Sequence, residues 1–108
     1  MKKIIKDMIK SEGNIYRYIV NKNINHLSSF LGGCIYCSEI YGQLSQEDRL
    51  FRDDFSKWVC DYYDRGDLDS EWNDLILFMN FNSYAQALDV FLELYKKWYI
   101  EEFGEDAW

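Results

Sequence analysis

The sequence predicts an all-α fold, a single bundle of four to five helices that covers residues 1–108. Apolar side chains recur at helical spacing in five segments, and the chain contains no proline to interrupt them. The one β-prone run lies within residues 14–23 and is too short to build a sheet. A chain of 108 residues with 48% hydrophobic content is long enough to bury one core without disulfide bonds.

The first helix is predicted over residues 2–11, where apolar side chains form one stripe. Its members are Ile4, Ile5, Met8 and Ile9. Gly13 lies just beyond, where a helix stop is expected. Residues 14–23 follow as an irregular segment, which we expect to be extended and packed on the helices.

The second helix is predicted to begin near Asn23 or Asn25, since either is a suitable N-cap, and to end at Gly42. Its apolar stripe consists of Leu27, Phe30, Leu31, Cys34, Ile35, Ser38 and Tyr41. Gly32 and Gly33 lie inside it, where each costs about 1 kcal/mol relative to alanine. We therefore expect either a neighbouring helix that approaches closely at these glycines or a kink.

The third helix is predicted over residues 46–63 and closes at Gly66, and the fourth begins at Asp69 or Ser70. Their apolar positions again follow helical spacing. The large side chains on these stripes and on the last helix are predicted to be buried. They are Trp58, Trp72, Phe91 and Trp98.

The fifth helix has the clearest start signal in the chain. Ser83 followed by Gln86 three residues later is the pattern of a capping box. The apolar stripe then continues for about four turns, and Gly104 ends the helix.

The residues that could carry catalysis or bind a metal form no complete site in the sequence. His26 is the only histidine, so no nucleophile has a base and an orienting group. Cys34 and Cys37 have C-x-x-C spacing but no second pair, and a half-site cannot complete a four-coordinate zinc. We expect Cys34, Cys37 and Cys60 to be free thiols, with the C-x-x-C pair packed in the core. No catalytic, cofactor-binding or metal-binding residue is predicted.

Charge is distributed unevenly along the chain. Residues 1–22 carry six basic and two acidic groups, whereas residues 23–108 carry six basic and seventeen acidic groups, which gives the overall net charge of −7. The acidic part would repel nucleic acid and anionic lipid. No apolar run reaches the length of a membrane span, and the N-terminal segment lacks the apolar stretch of a signal peptide. We expect a cytoplasmic protein with no nucleic acid or membrane partner.

The acidic excess is concentrated in residues 47–74, which contain ten acidic and four basic side chains interleaved with large aromatics. Tyr62 and Tyr63 are adjacent, so both cannot face the core of a helical bundle. Acidic and aromatic side chains on one surface favour a partner with a basic surface, such as a nuclease. The candidate contact residues are Asp53, Asp54, Asp61, Tyr63, Asp64, Asp67, Asp69 and Glu71.

Three stretches resemble a family of small all-helical bacterial proteins. They are residues 18–33, residues 55–59 followed by Tyr63, Ser70 and Trp72, and residues 85–103. The chain departs from the family pattern in having no proline before Tyr18 and in having Val20 where glycine is usual. The resemblance implies an immunity protein, encoded beside a polymorphic toxin or a toxin of contact-dependent growth inhibition.

The sequence therefore favours a non-enzymatic immunity protein, monomeric or weakly homodimeric, that binds and neutralises a cognate toxin. Two alternatives remain open at this point. One is a regulatory or adaptor domain that acts as a homodimer through an exposed aromatic face. The other is a metal-dependent enzyme built on the abundant carboxylates.

Overall fold

A computed structural model describes all 108 residues and confirms an all-α fold. The helices are α1 (Lys2–Lys10), α2 (Ile24–Ile40), α3 (Gln46–Tyr62), α4 (Trp72–Met79) and α5 (Tyr84–Phe103), with 3₁₀-helices at Glu12–Arg17 and Glu105–Ala107. All five predicted helices are present. None of them is both long and apolar enough on its own to span a membrane; α4 and α5 reach that length and hydropathy only as a pair, with a bend of 117° between them.

Helix starts are fixed mainly by side-chain caps. The side chain of Asn23 accepts hydrogen bonds from the backbone N–H groups of Asn25 and His26, so Asn23 is the N-cap of α2. Ser83 Oγ accepts from the N–H of Gln86 at 3.2 Å, as the capping box predicts. The reciprocal half is absent, because the Gln86 amide donates to Asn80 Oδ1 instead. Each such cap contributes about 1 kcal/mol.

Residues 14–23 pack on the helices as predicted, with Ile15 and Ile19 buried, but the prediction that they are extended is wrong. A 3₁₀-helix occupies Glu12–Arg17, and α1 ends at Lys10, before Gly13. The Asp7 carboxylate accepts hydrogen bonds from Asn14, Arg17 and Tyr18. These contacts tie the segment back onto α1 and hold it in a tight turn.

The connection between α3 and α4 also differs from its prediction. Asp64, with φ +56°, takes the left-handed position after α3 that was expected to involve Gly66. The N–H of Arg65 donates to Cys60 O at 2.7 Å, and the N–H of Asp64 donates to Asp61 O at 3.0 Å. This is a Schellman motif.

The start of α4 lies later than Asp69 or Ser70, at Trp72. Its N-cap residue, Glu71, makes no side-chain capping hydrogen bond. The Trp72 N–H donates instead to Ser56 Oγ of α3 at 3.0 Å. A neighbouring helix therefore caps α4, and local sequence carries no signal for such a contact.

The core is built around α5, which packs against α1, α2, α3 and α4. Trp72, Phe91 and Trp98 are buried there, as predicted. Trp58 is only partly buried, so its predicted core position is wrong. Its ring stacks on Phe55 at the edge of the core, with 5.9 Å between centroids.

In the middle of α2, the expected close approach of a neighbouring helix is absent, and Cys37 of the C-x-x-C pair is not packed in the core. A Cβ added at Gly32 or Gly33 would meet no atom within 4 Å, so no neighbouring helix approaches there. Cys34 is partly buried and Cys37 is exposed, whereas Cys60 on α3 is buried. All three cysteines are free.

Candidate partner-binding surface

The candidate acidic side chains form the acidic surface, which covers the outer side of α3 and the loop at residues 63–71. Burial of Phe55 and Val59 turns the opposite side of α3 toward solvent. Seven of the eight candidate residues are exposed there. They are Asp53, Asp54, Asp61, Asp64, Asp67, Asp69 and Glu71.

The structure does not bring all of these side chains into one site. Asp53, Asp69 and Glu71 line a shallow depression of about 360 Å³ between α3 and the loop. Asp61 lines a separate groove between α3 and α5. The acidic surface is therefore broad, and its carboxylates do not converge on a point.

Ion pairs reduce the number of carboxylates that are free to meet a partner. Arg52 Nε donates to Asp53 Oδ1 at 2.9 Å, and this contact lowers the pKa of Asp53. Arg65 Nε lies 3.4 Å from Asp67 Oδ1. Glu71 has no ion-pair partner but accepts a hydrogen bond from Ser56 Oγ at 3.2 Å. Four carboxylates on the acidic surface have neither an ion-pair partner within 4.0 Å nor a side-chain hydrogen bond. They are Asp54, Asp61, Asp64 and Asp69.

The exposed aromatic residue on this surface is Tyr62, and Tyr63 is the more buried of the two. Tyr62 is 46% exposed, whereas Tyr63 packs against the core and burial raises its pKa. The neighbouring Asn80, itself buried, offsets part of this rise in the pKa of Tyr63. Helical spacing indicated the opposite, because Tyr62 follows Trp58 by one turn on the same side of α3, and Trp58 was itself predicted to be buried.

The groove that Asp61 lines has a volume of about 250 Å³ and combines aromatic and charged side chains. Its lining residues are Trp58, Asp61, Tyr62, Lys97 and Glu101, which we call the aromatic groove. The Trp58 and Tyr62 rings stack with 5.5 Å between centroids and an interplanar angle of 19°. Lys97 Nζ lies 5.1 Å from the centroid of the Tyr62 ring, within the range of a cation–π interaction.

A larger cavity of about 510 Å³, which no sequence pattern predicted, lies between α1, the first 3₁₀-helix and α5. Lys22 in its wall bridges Glu12 at 2.7 Å and Asp89 at 2.8 Å. Hydrogen bonds to Asp89 and Glu12 raise the pKa of Lys22. Lys22, Glu12 and Asp89 thus link the segment before α2 to α5, and their charges pair with one another within the molecule.

No three His, Cys, Asp or Glu side chains lie close enough together to hold a metal ion. No protein-family model, curated protein or solved structure matches this chain.

Proposed function

We propose that this chain is an immunity protein, which binds a cognate bacterial toxin through the acidic surface and thereby neutralises it. The observation that carries the proposal is the set of four exposed carboxylates, with neither an ion pair nor a side-chain hydrogen bond, beside an exposed aromatic ring. A nuclease fits this surface best, because a nuclease presents basic side chains where nucleic acid binds. The resemblance of residues 18–33 and 85–103 to the immunity-protein-like family gives independent support.

Neutralisation of this kind requires no reaction. The acidic surface attracts the basic groove at long range and speeds encounter. Once bound, it occupies the space that nucleic acid would take, while the Tyr62 ring supplies apolar contact area among the charges. Binding alone thus accounts for the inhibition.

The product of an adjacent toxin gene is the partner with which the proposal is tested. We expect the chain to co-purify with that protein and to suppress its nuclease activity. Reversing charge at Asp54, Asp61 and Asp69 should weaken both effects without unfolding the chain. The matched control carries the same reversals on exposed carboxylates outside the acidic surface, namely Glu93, Glu105 and Asp106. Equal inhibition by both triple variants, or the absence of any complex, would contradict the proposal.

A homodimeric adaptor is the second candidate function, and the outer face of α2 favours it. Tyr36, Ile40 and Tyr41 are 67%, 61% and 72% exposed, although all three are large and apolar. Glu39 is the only Asp, Glu, Lys or Arg within α2, and it pairs with Arg52. A nearly uncharged face can bring two copies of a chain of net charge −7 together with little local repulsion.

Sedimentation equilibrium tests the adaptor, because the immunity protein is expected to be monomeric or only weakly homodimeric. If α2 forms the dimer, Ile40→Asp should give a monomer. Val20→Asp, at an apolar residue outside α2 that is even more exposed, should leave the dimer intact. A monomeric wild-type chain at all concentrations tested would eliminate the adaptor.

A further inference from the structure

We propose that the aromatic groove is an anchor site for an arginine side chain of the partner, and that Lys97 occupies it in the free protein. The inference rests on the proposed function for the presence of a basic partner. The aromatic groove would be the place beside the acidic surface where that partner binds through an arginine. The site consists of Trp58, Asp61, Tyr62, Lys97 and Glu101.

The aromatic floor of the groove is held in place before any partner arrives. Phe55, which is fully buried, stacks on Trp58 with an interplanar angle of 15°, and Trp58 stacks on Tyr62 at 19°. The three rings follow one another on α3 at spacings of three and four residues, so the helix sets their order. Little side-chain entropy is therefore lost when a ligand lies on the outer ring.

Lys97 shows that the Tyr62 ring accepts a cation. Its ammonium lies 5.1 Å from the ring centroid, yet it makes no ion pair with Asp61 or Glu101 within 4.0 Å. Lys97 is also exposed, so its side chain can leave without unfolding anything. A cation from a partner can take its place on the ring.

Arginine suits the groove better than lysine does. A planar guanidinium stacks on an aromatic face and donates at the same time to carboxylates at its edge, whereas an ammonium is a point charge that is strongly hydrated. Asp61 and Glu101 supply unpaired carboxylates within the groove. An arginine on Tyr62 would therefore combine cation–π contact with charge-assisted hydrogen bonds.

The test uses the intact chain and a hexa-arginine peptide, with hexa-lysine as the probe of equal charge. The indole N–H of Trp58 is followed by NMR, with the buried Trp72 and Trp98 as internal references. Hexa-arginine should shift the Trp58 signal at lower concentration than hexa-lysine. Tyr62→Leu should abolish that preference, while Tyr62→Phe, which keeps a ring, should retain it. Equal shifts with both peptides, or a Trp58 signal that does not move, would overturn the inference.

A second test removes the Lys97 ammonium from the groove, and this change should strengthen peptide binding. Lys97→Gln should tighten hexa-arginine binding about two- to fivefold more than Lys57→Gln does, since that is the range of one exposed cation–π contact. Lys57 is the matched control, because it lies on the acidic surface but outside the aromatic groove. Equal gains in the two variants would mean that only net charge matters, and that Lys97 occupies no site.

The peptide experiment requires no toxin, so its failure is separable from failure of the immunity proposal. If a toxin binds the wild-type chain and Tyr62→Leu equally well, the anchor site is refuted while the immunity function stands. If the peptides show the arginine preference and no toxin partner exists, the anchor site stands and the immunity function falls.

Discussion

The phenolic hydroxyl of Tyr18 donates a hydrogen bond of 2.7 Å to the Asp7 carboxylate. Arg17 binds the same carboxylate at 3.0 Å, and the Asn14 amide donates to it at 3.2 Å. The Asp7 side chain on α1 therefore binds three residues of the segment that follows. The hydrogen bond from Tyr18 is the main cause of a lowered pKa at Asp7, and Arg17 adds to it.

Asp7→Asn should make the free energy of unfolding depend less on pH in the acidic range. Because the folded pKa of Asp7 is lowered, its contribution is complete above the ordinary value of 3.8 and is lost as pH falls through the folded pKa. Urea unfolding between pH 2 and pH 6 measures the effect. The wild type should lose more stability than the variant across this window, and Tyr18→Phe should show a smaller loss of the same kind. Parallel curves for the wild type and Asp7→Asn would contradict the assignment.

The same contacts show why local patterns predicted the helices but not the segment between α1 and α2. Caps such as Asn23 and Ser83 act within three residues, and apolar spacing reports a helix face directly. Tyr18 and Arg17 instead reach a carboxylate ten or more residues earlier. Their β-prone neighbours suggested an extended chain, and tertiary hydrogen bonds overrode that preference.

The candidate surface was predictable in composition but not in detail. That the carboxylates of α3 face solvent follows from the opposite apolar stripe. Which of them are free depends on Arg52, whose guanidinium bridges Asp53 to Glu39 on another helix. The aromatic groove depends on the packing of α5 beside α3, which brings Lys97 next to Tyr62. Spacing along one helix carries no information about such neighbours.

Truncating Trp98, which is buried in the core, should lower the free energy of unfolding more than truncating Trp58, which lies at the edge of the core. Trp98→Ala should cost about 3–5 kcal/mol of unfolding free energy, because Trp98 is fully buried, and Trp58→Ala should cost distinctly less. Trp98→Phe should be milder than alanine, since the Trp98 Nε1–H is buried with no acceptor. Chemical denaturation measures all three variants. A Trp58→Ala loss as large as that of Trp98→Ala would contradict the burial described above.

Phe81→Gly should stabilise the protein by about 0.5–1 kcal/mol. Phe81 has φ +57° and is 91% exposed, so its side chain contributes strain and little burial. Left-handed backbone costs a non-glycine residue about 1–2 kcal/mol, and the flexibility of glycine in the unfolded chain offsets part of the gain. Ala85→Gly, at an exposed position in the first turn of α5, is the control and should destabilise by at most about 1 kcal/mol. A loss of stability in Phe81→Gly would show that the ring has a structural role.

Asp64 on the acidic surface combines a charge with a backbone role, and its variants should separate the two. Asp64→Asn removes the charge and suits φ +56°, so stability should change little. Asp64→Val should lose about 1–2 kcal/mol, because a β-branched residue is strained in the left-handed region. Thermal unfolding measures both. Equal stability of the two variants would argue against the Schellman motif at the end of α3.

The association rate with the toxin should depend on salt through carboxylates such as Asp54, which is exposed and unpaired. Asp54→Asn should slow association at low ionic strength, and the difference from the wild type should shrink near 0.1 M salt, where screening acts over about 10 Å. Asp106→Asn, an exposed charge outside the acidic surface, is the matched control and should change the rate less. Stopped-flow mixing at two salt concentrations measures both rates.

Faster dissociation with unchanged association would instead make Asp54 a desolvated contact, because removing a paired, buried charge acts on the complex and not on encounter. If neither rate moves, the toxin binds another face, and the face of α5 around Glu93, which lies outside the aromatic groove, is the next surface to test.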